Sequence, residues 1–330
     1  MNLFKIVQKR TNKRKQKERP YQDAGAVLLF VFLLPYVISC LWGHVGKEAE
    51  SFSSHKQEEN NLDTGYTVIL SGDWGTRTIT MKDYLIRRLA SVMPQEEEGI
   101  VYEEEALKAQ AVLLRTELLG LMQDDGQQTD KTIVVQNDMN GYDLPTTVNK
   151  DVLEQYEQAV VITDGIILVY DGEPVKAAYF AVSNGQTRNG AYPYLKSVEC
   201  RQDILASDFQ SEAVFHKPDF ERLATEILKV SEKTPDWEEM DFFYDDAGYV
   251  SEVTMGTASC SGETFRHAFG LNSACFEAEW RGENVVFHVK GVGHGFGMSQ
   301  YGANQRALQG ETFDEILNAF FFETELVKIE

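Results

Sequence analysis

The sequence predicts an α+β fold, a single extracytoplasmic domain of β-hairpins and helices behind one N-terminal transmembrane helix. Three observations carry this. Ala24 to Gly43 reads AGAVLLFVFLLPYVISCLWG, twenty residues without a charge. Downstream, apolar residues recur at helical spacing in some stretches and alternate around turn dipeptides in others. The two patterns follow no regular strand-helix-strand order, which argues against a doubly wound parallel sheet.

Residues 1–23 form a basic segment in which Lys5, Lys9, Arg10, Lys13, Arg14, Lys15, Lys17 and Arg19 face only Glu18 and Asp23. At 1.5 Å rise per residue, residues 24–43 span roughly 30 Å, one bilayer core. A buried helix of that length would usually keep a polar stripe, and this one has none. Basic residues before the span and almost none after it put the N-terminus in the cytoplasm and the rest outside. The protein is thus expected in the cell membrane as a single-pass chain, its N-terminus cytoplasmic and its domain extracytoplasmic.

The whole 330-residue chain carries a net charge of −21, and with about +6 on the first 23 residues the remainder holds about −27. So acidic a body repels phosphate backbones, which counts against nucleic acid as a partner. Residues 44–65 are polar and without apolar periodicity, and read as a tether. The folded domain is expected over residues 66–330.

Tyr66 to Leu70 reads as a strand. Met81 to Met93 carries apolar residues at helical spacing and stops at Pro94, which has no amide to donate. Glu103 to Met122 is the clearest helix, with Glu103, Glu104 and Glu105 at its positive end and Leu107, Ala111, Leu114 and Leu118 along one face. Hairpins are expected over Val160 to Val182 around Asp171-Gly172, around Asp245 to Gly248, and over Phe276 to Val289 around Arg281-Gly282. A glycine-rich loop then leads to a helix from about Met298, a helix from Phe313 to Phe320 and a last short strand. Beyond the span, Cys200, Cys260 and Cys275 show no metal-ligand spacing and read as free thiols, although Cys260 and Cys275 could pair in an oxidising compartment.

The most unusual stretch is Gly291-Val292-Gly293-His294-Gly295-Phe296-Gly297-Met298-Ser299-Gln300-Tyr301-Gly302-Ala303. Its spaced glycines let backbone approach a ligand around one imidazole and a Ser-Gln-Tyr cluster, and they mark a site. This block resembles the GxGHGxGMSQYGA block of the stage II sporulation protein D family, which includes amidase-enhancer proteins. Three further blocks are similar to the same family and stand in its order: Glu105-Ala106-Leu107-Lys108-Ala109-Gln110-Ala111 with Arg115-Thr116, Pro193-Tyr194-Leu195-Lys196-Ser197-Val198, and Phe265-Arg266 with Gly270-Leu271.

The resemblance implies a protein of sporulation that acts on peptidoglycan. In active members it implies a lytic transglycosylase that cuts glycan strands stripped of their stem peptides. That chemistry needs a carboxyl group, which first protonates the glycosidic oxygen and then takes the proton of the hydroxyl that closes the anhydro ring. The family places a Glu before a Met-Pro pair for this role. Here Val92 precedes Met93-Pro94, so no catalytic residue is assigned.

Phe180 matches a position where the family often has a His. Some members hold zinc near this loop, but no His or Cys lies between Tyr179 and Lys196, so no metal or other cofactor is expected. Substrate binding is expected from Lys108, Gln110, Arg115, Ser183, Asn184, Gly185, Thr187, His294, Gly295, Gly297, Ser299, Gln300 and Tyr301. Two readings stand. One is a degenerate relative that binds glycan strands and recruits an amidase or another wall hydrolase. The other is an active enzyme using another carboxylate, with Glu96, Glu97 and Glu98 nearest in sequence.

Overall fold

A computed structural model describes residues 62–95, 101–124, 131–138, 150–229 and 239–329. The basic segment, the expected span at 24–43 and the tether up to residue 61 lie outside these, as do Glu96, Glu97 and Glu98. Among the described residues, no helix is long and apolar enough to cross a membrane.

The described fold is α+β. It begins with a 3-10 turn, Leu62–Gly65, so it reaches back into the stretch expected to be tether. The reason is Asp63, which is fully buried as the counter-charge of Arg115. Strand β1 (Thr67–Gly72) pairs antiparallel with β2 (Gly75–Thr80) and parallel with β3 (Thr132–Gln136). Helix α1 (Met81–Val92) starts at Thr80, whose hydroxyl accepts from the Asp83 amide, and stops short of Pro94. Helix α2 (Glu104–Asp124) runs through the middle of the first core and buries Ala106, Leu107, Ala109, Ala111, Val112, Leu113, Leu114 and Leu118. So much of its surface is covered because α1, α3 (Lys150–Ile162) and the C-terminal helices all pack on it.

After α3 comes β4 (Ile166–Tyr170), which turns at Asp171-Gly172 into the two-residue β5 (Glu173–Pro174). The expected hairpin over 160–182 is therefore much shorter than its alternation indicated. Val160 belongs to α3, and the longer partner of β4 is the C-terminal β14 (Glu325–Lys328). Strand β6 (Tyr179–Phe180) pairs instead with β13 (Met298–Ser299), in parallel. Helices α6 (Gln300–Leu308) and α7 (Phe313–Phe320) follow, the latter opened by a Thr312/Glu315 capping box.

A second core is built on β7 (Gln210–His216), α4 (Lys217–Leu228), β8 (Asp241–Tyr244), β9 (Val250–Met255), β10 (Ala258–Ser261), α5 (Gly262–Ala268), β11 (Phe276–Arg281) and β12 (Asn284–Lys290). The two expected hairpins lie here, β8 with β9 and β11 with β12, and β7 adds to the open edge of β12. Phe220, Phe265, Phe269, Phe276 and Phe287 fill it ring on ring, with Phe265 and Phe269 stacked at 4.3 Å. Between the two cores lie the residues after β6 and the glycine-rich loop before β13, and there the blocks noted in the sequence meet.

Candidate functional site

The glycine-rich loop lies against the chain from Ala178 to Ser183. Val182 and Val292 exchange backbone hydrogen bonds of 3.0 and 2.7 Å, Met298 N donates to Ala178 O at 3.0 Å, and Tyr301 N donates to Ala181 O at 3.0 Å. Gly297 has φ +72°, and a β-carbon on it would sit 2.1 Å from the Ala178 carbonyl oxygen. A β-carbon on Gly293 (φ +112°) would meet that of Phe180 at 2.5 Å. The glycines do bring backbone close to something, as their spacing implies. What approaches is another stretch of this chain.

His294 is half-buried, with Phe180 at 5.6 Å and Phe296 at 5.9 Å between ring centroids. Phe180 is thus a packing partner of the imidazole. The Nδ1 of His294 accepts from Phe296 N at 3.1 Å, and burial lowers the pKa below 6.5, so the ring is neutral at pH 7. Beneath the loop runs Arg188, which sequence reasoning missed. Its guanidinium donates to Asp245 (2.6 Å), Glu263 (3.2 Å) and the His294 carbonyl (3.2 Å), and lies over the rings of Tyr249 and Phe296. The only sequence signal for it was a lone basic residue in an otherwise uncharged loop.

Asp203 was missed as well. It lies fully buried in a 3-10 turn, Arg201–Leu205, and its Oδ2 accepts from Ser183 N at 2.8 Å and Ser299 Oγ at 2.6 Å. Ser299 in turn caps α6 by accepting from Gly302 N at 3.1 Å. One carboxyl thus ties Ser183, the first residue of the Ser-Asn-Gly loop, to the start of the Gln-Tyr-Gly helix. Burial raises its pKa against those donors.

The other expected site residues divide by access. Asn184 donates to Ala247 O (2.6 Å) and Cys275 Sγ (3.2 Å), Gly185 takes φ +113° and accepts from Cys200 N, and buried Thr187 bonds both Lys196 O and Val198 N. Gly295 is buried against Tyr249 and Arg188. Gln300 is buried and donates to Gln110 Oε1 at 3.1 Å, while Gln110 Nε2 is buried without a partner among the described residues. Lys108 pairs with Glu104 and Glu105, and Glu105 accepts from Phe313 N at 2.7 Å, which docks α7 on α2.

Arg115 is sealed at 0% exposure with Asp63 on its fork, and it is unavailable to any ligand. Tyr301 is half-buried, and burial raises the pKa of its hydroxyl. The structure therefore gathers Ser183, Asn184, His294, Ser299, Gln300 and Tyr301 around one loop crossing. Lys108 and Arg115 serve the helical core.

Val92 ends α1 and packs partly buried on the first core. One turn earlier on the same helix face, Arg88 donates to the Tyr179 hydroxyl at 3.3 Å. A valine side chain has no exchangeable proton, so this position offers no general acid or base. The thiols offer no substitute nucleophile, since burial pushes Cys200 up to about 12 and raises Cys260 and Cys275. The zinc of some relatives does not fit these residues either. Cys200 faces the Val198 carbonyl, and no His, Cys, Asp and Glu group of three or more is placed to hold a metal among the described residues.

Comparison with known proteins points to the same family. A family model described as "Stage II sporulation protein" matches residues 74–170, from β2 to the end of β4. The chain is 29% identical over 282 residues to stage II sporulation protein D of Bacillus subtilis (strain 168), covering 78% of each chain. It is 30% identical over 277 residues to stage II sporulation protein D of Bacillus amyloliquefaciens, covering 77% of this chain and 76% of the relative. With the matched region holding α1 and α2, and the wider alignments covering three-quarters of both partners, the chain belongs to the stage II sporulation protein D family.

Proposed function

We propose that this sporulation protein is anchored in the membrane by residues 24–43 and engages peptide-stripped glycan strands of peptidoglycan outside it, binding them without cutting. The carrying observation is Val92 at the end of α1, where the family's acid/base carboxyl would stand. Losing a general acid typically costs 10²- to 10⁴-fold, and here one group would serve in both proton transfers. The loop crossing keeps its own architecture, with Asp203, Ser183 and Ser299 holding the Ser-Asn-Gly and Gln-Tyr-Gly segments together. A scaffold kept in working order beside a lost proton carrier fits a binding protein, and recruitment of an amidase or another wall hydrolase follows as its use.

The test takes the full-length protein in detergent with peptide-free glycan strands, measuring co-sedimentation and searching by mass spectrometry for anhydromuramic ends. Binding without new ends is expected, with some cleavage regained in Val92→Glu. New ends from the unsubstituted protein would establish the other reading, an enzyme using a different carboxylate. No binding to any wall fraction would sink the glycan-directed reading altogether.

A further inference from the structure

The structure holds a cavity that neither the glycine loop nor the sequence blocks account for. It measures about 380 Å³ and lies between the second half of α2, with Glu117, Gly120 and Leu121, and the segment from Pro174 to Ala178. Glu117, Gly120 and Leu121 are spaced three and four apart and so share one helix face.

Gly120 is the telling residue. A glycine inside a helix is less favourable than alanine by about 1 kcal/mol, and it is usually explained by a neighbour that comes too close for a side chain. Here a β-carbon on Gly120 would meet nothing within 4 Å. What its lack of a side chain does is leave the cavity open.

The walls are of three kinds. Leu121, Pro174, Val175, Ala177 and Ala178 give an apolar floor, Glu117 gives an acceptor, and Lys176 brings a cationic donor to the same lining. The Glu117 residue is open to solvent, yet the atoms around its carboxyl raise its pKa against the pull of Arg88. Arg88 is itself fixed by the Tyr179 hydroxyl and by Asp138, and Asp138 accepts from Tyr84 at 2.8 Å. The cavity also joins the glycine block, because Ala178 both lines it and accepts from Met298 N.

We propose that this cavity is a subsite for one neutral N-acetylhexosamine unit of a glycan strand, with Glu117 accepting from its hydroxyl groups and the apolar floor taking its C–H face or acetamido methyl. This rests on the glycan-binding reading above. An acceptor carboxylate and a cationic donor over an apolar floor suit a neutral ring that offers both hydroxyl donors and an acetamido acceptor, and the volume is at the small end for ligand sites, suited to a single ring.

The experiment compares the full-length protein in detergent with Gly120→Leu and Glu117→Ala, by calorimetry with peptide-free glycan strands and with a neutral N-acetylglucosamine oligomer. Gly120→Leu fills the cavity where no atom stands in the way, so its thermal midpoint should hold or rise while affinity for both probes falls at least tenfold. Glu117→Ala should lose about tenfold, the range of one hydrogen bond to a charged group. Parental affinity in either variant overturns the proposal and leaves glycan binding standing. Should the midpoint of Gly120→Leu fall, Glu117→Ala alone decides. No binding by the unsubstituted protein overturns both readings.

Discussion

Arg115 in α2 and Asp203 beside the glycine loop are both charged and both fully buried, and the protein holds them in opposite ways. Arg115 meets a full counter-charge. Its Nε and Nη2 form a fork on the two oxygens of Asp63 at 2.8 and 2.6 Å, and its other donors reach Thr163 and the carbonyls of Val160 and Ile166. Asp203 has hydroxyl and amide donors on one oxygen and, among the described residues, no hydrogen-bond partner on the other. In the first arrangement, leaving either ion alone would be costly; in the second, burial pushes the carboxyl toward the neutral acid. A polar residue inside a sequence block therefore need not face a ligand. In the helix block it closes the N-terminal turn onto the core, and in the loop block it joins two crossing segments.

The largest expected effect breaks the helix side of this comparison. Arg115→Met leaves Asp63 buried and unpaired, and should cost about 3–5 kcal/mol in urea unfolding. Arg115→Met with Asp63→Leu should recover most of that loss, since an apolar pair replaces the ions. A single substitution costing under about 1 kcal/mol would mean that water reaches Asp63, against its full burial.

The loop side is tested by the next effect. Gly297→Ala would set a β-carbon against the Ala178 carbonyl in a left-handed conformation, and should cost about 2–4 kcal/mol from strain and overpacking together. Gly310→Ala has φ +91° with nothing within 4 Å, and should cost only about 1–2 kcal/mol for the conformation. The difference measures how tightly the loop is pressed on residues 178–183. Equal costs would show that the loop can lift from that segment.

The parts of this molecule that could be read in advance are those whose signal is local. Helices α1, α2 and α7 follow from apolar spacing and from Pro94, and the hairpins of the second core from alternation about Gly248 and Gly282. Strand pairings across long separations left no such mark. Thr67 beside Thr132, Val169 beside Glu325, and Tyr179 beside Met298 join residues far apart in sequence. The alternation around Asp171-Gly172 overstated its hairpin for this reason, because β4 spends its longer edge on β14. At the site, glycine spacing announced a close approach without saying what approaches. Nothing local singled out Asp203, and little singled out Arg188, because only the fold brings Ser183 and Ser299 to one, Phe296 and Asp245 to the other.

The smallest effect sharpens the contrast through pH. Asp203 has its folded pKa raised above the ordinary 3.8, so between the two values the native state holds a proton that the unfolded chain has released. Stability then falls as pH rises, since it rises with pH only where the unfolded state binds more protons. The contribution is present below about 3.8 and is lost as pH climbs through the folded pKa. Asp203→Asn removes this titration and keeps an oxygen for Ser183 N and Ser299 Oγ. Urea midpoints of parent and variant should be compared from pH 4 to pH 7. The variant should gain on the parent as pH rises, by less than the cost of Gly297→Ala. Parallel curves would mean that the hydroxyl and amide donors hold the carboxylate charged throughout, and that Asp203 matches Arg115 in keeping its ion without needing a counter-ion.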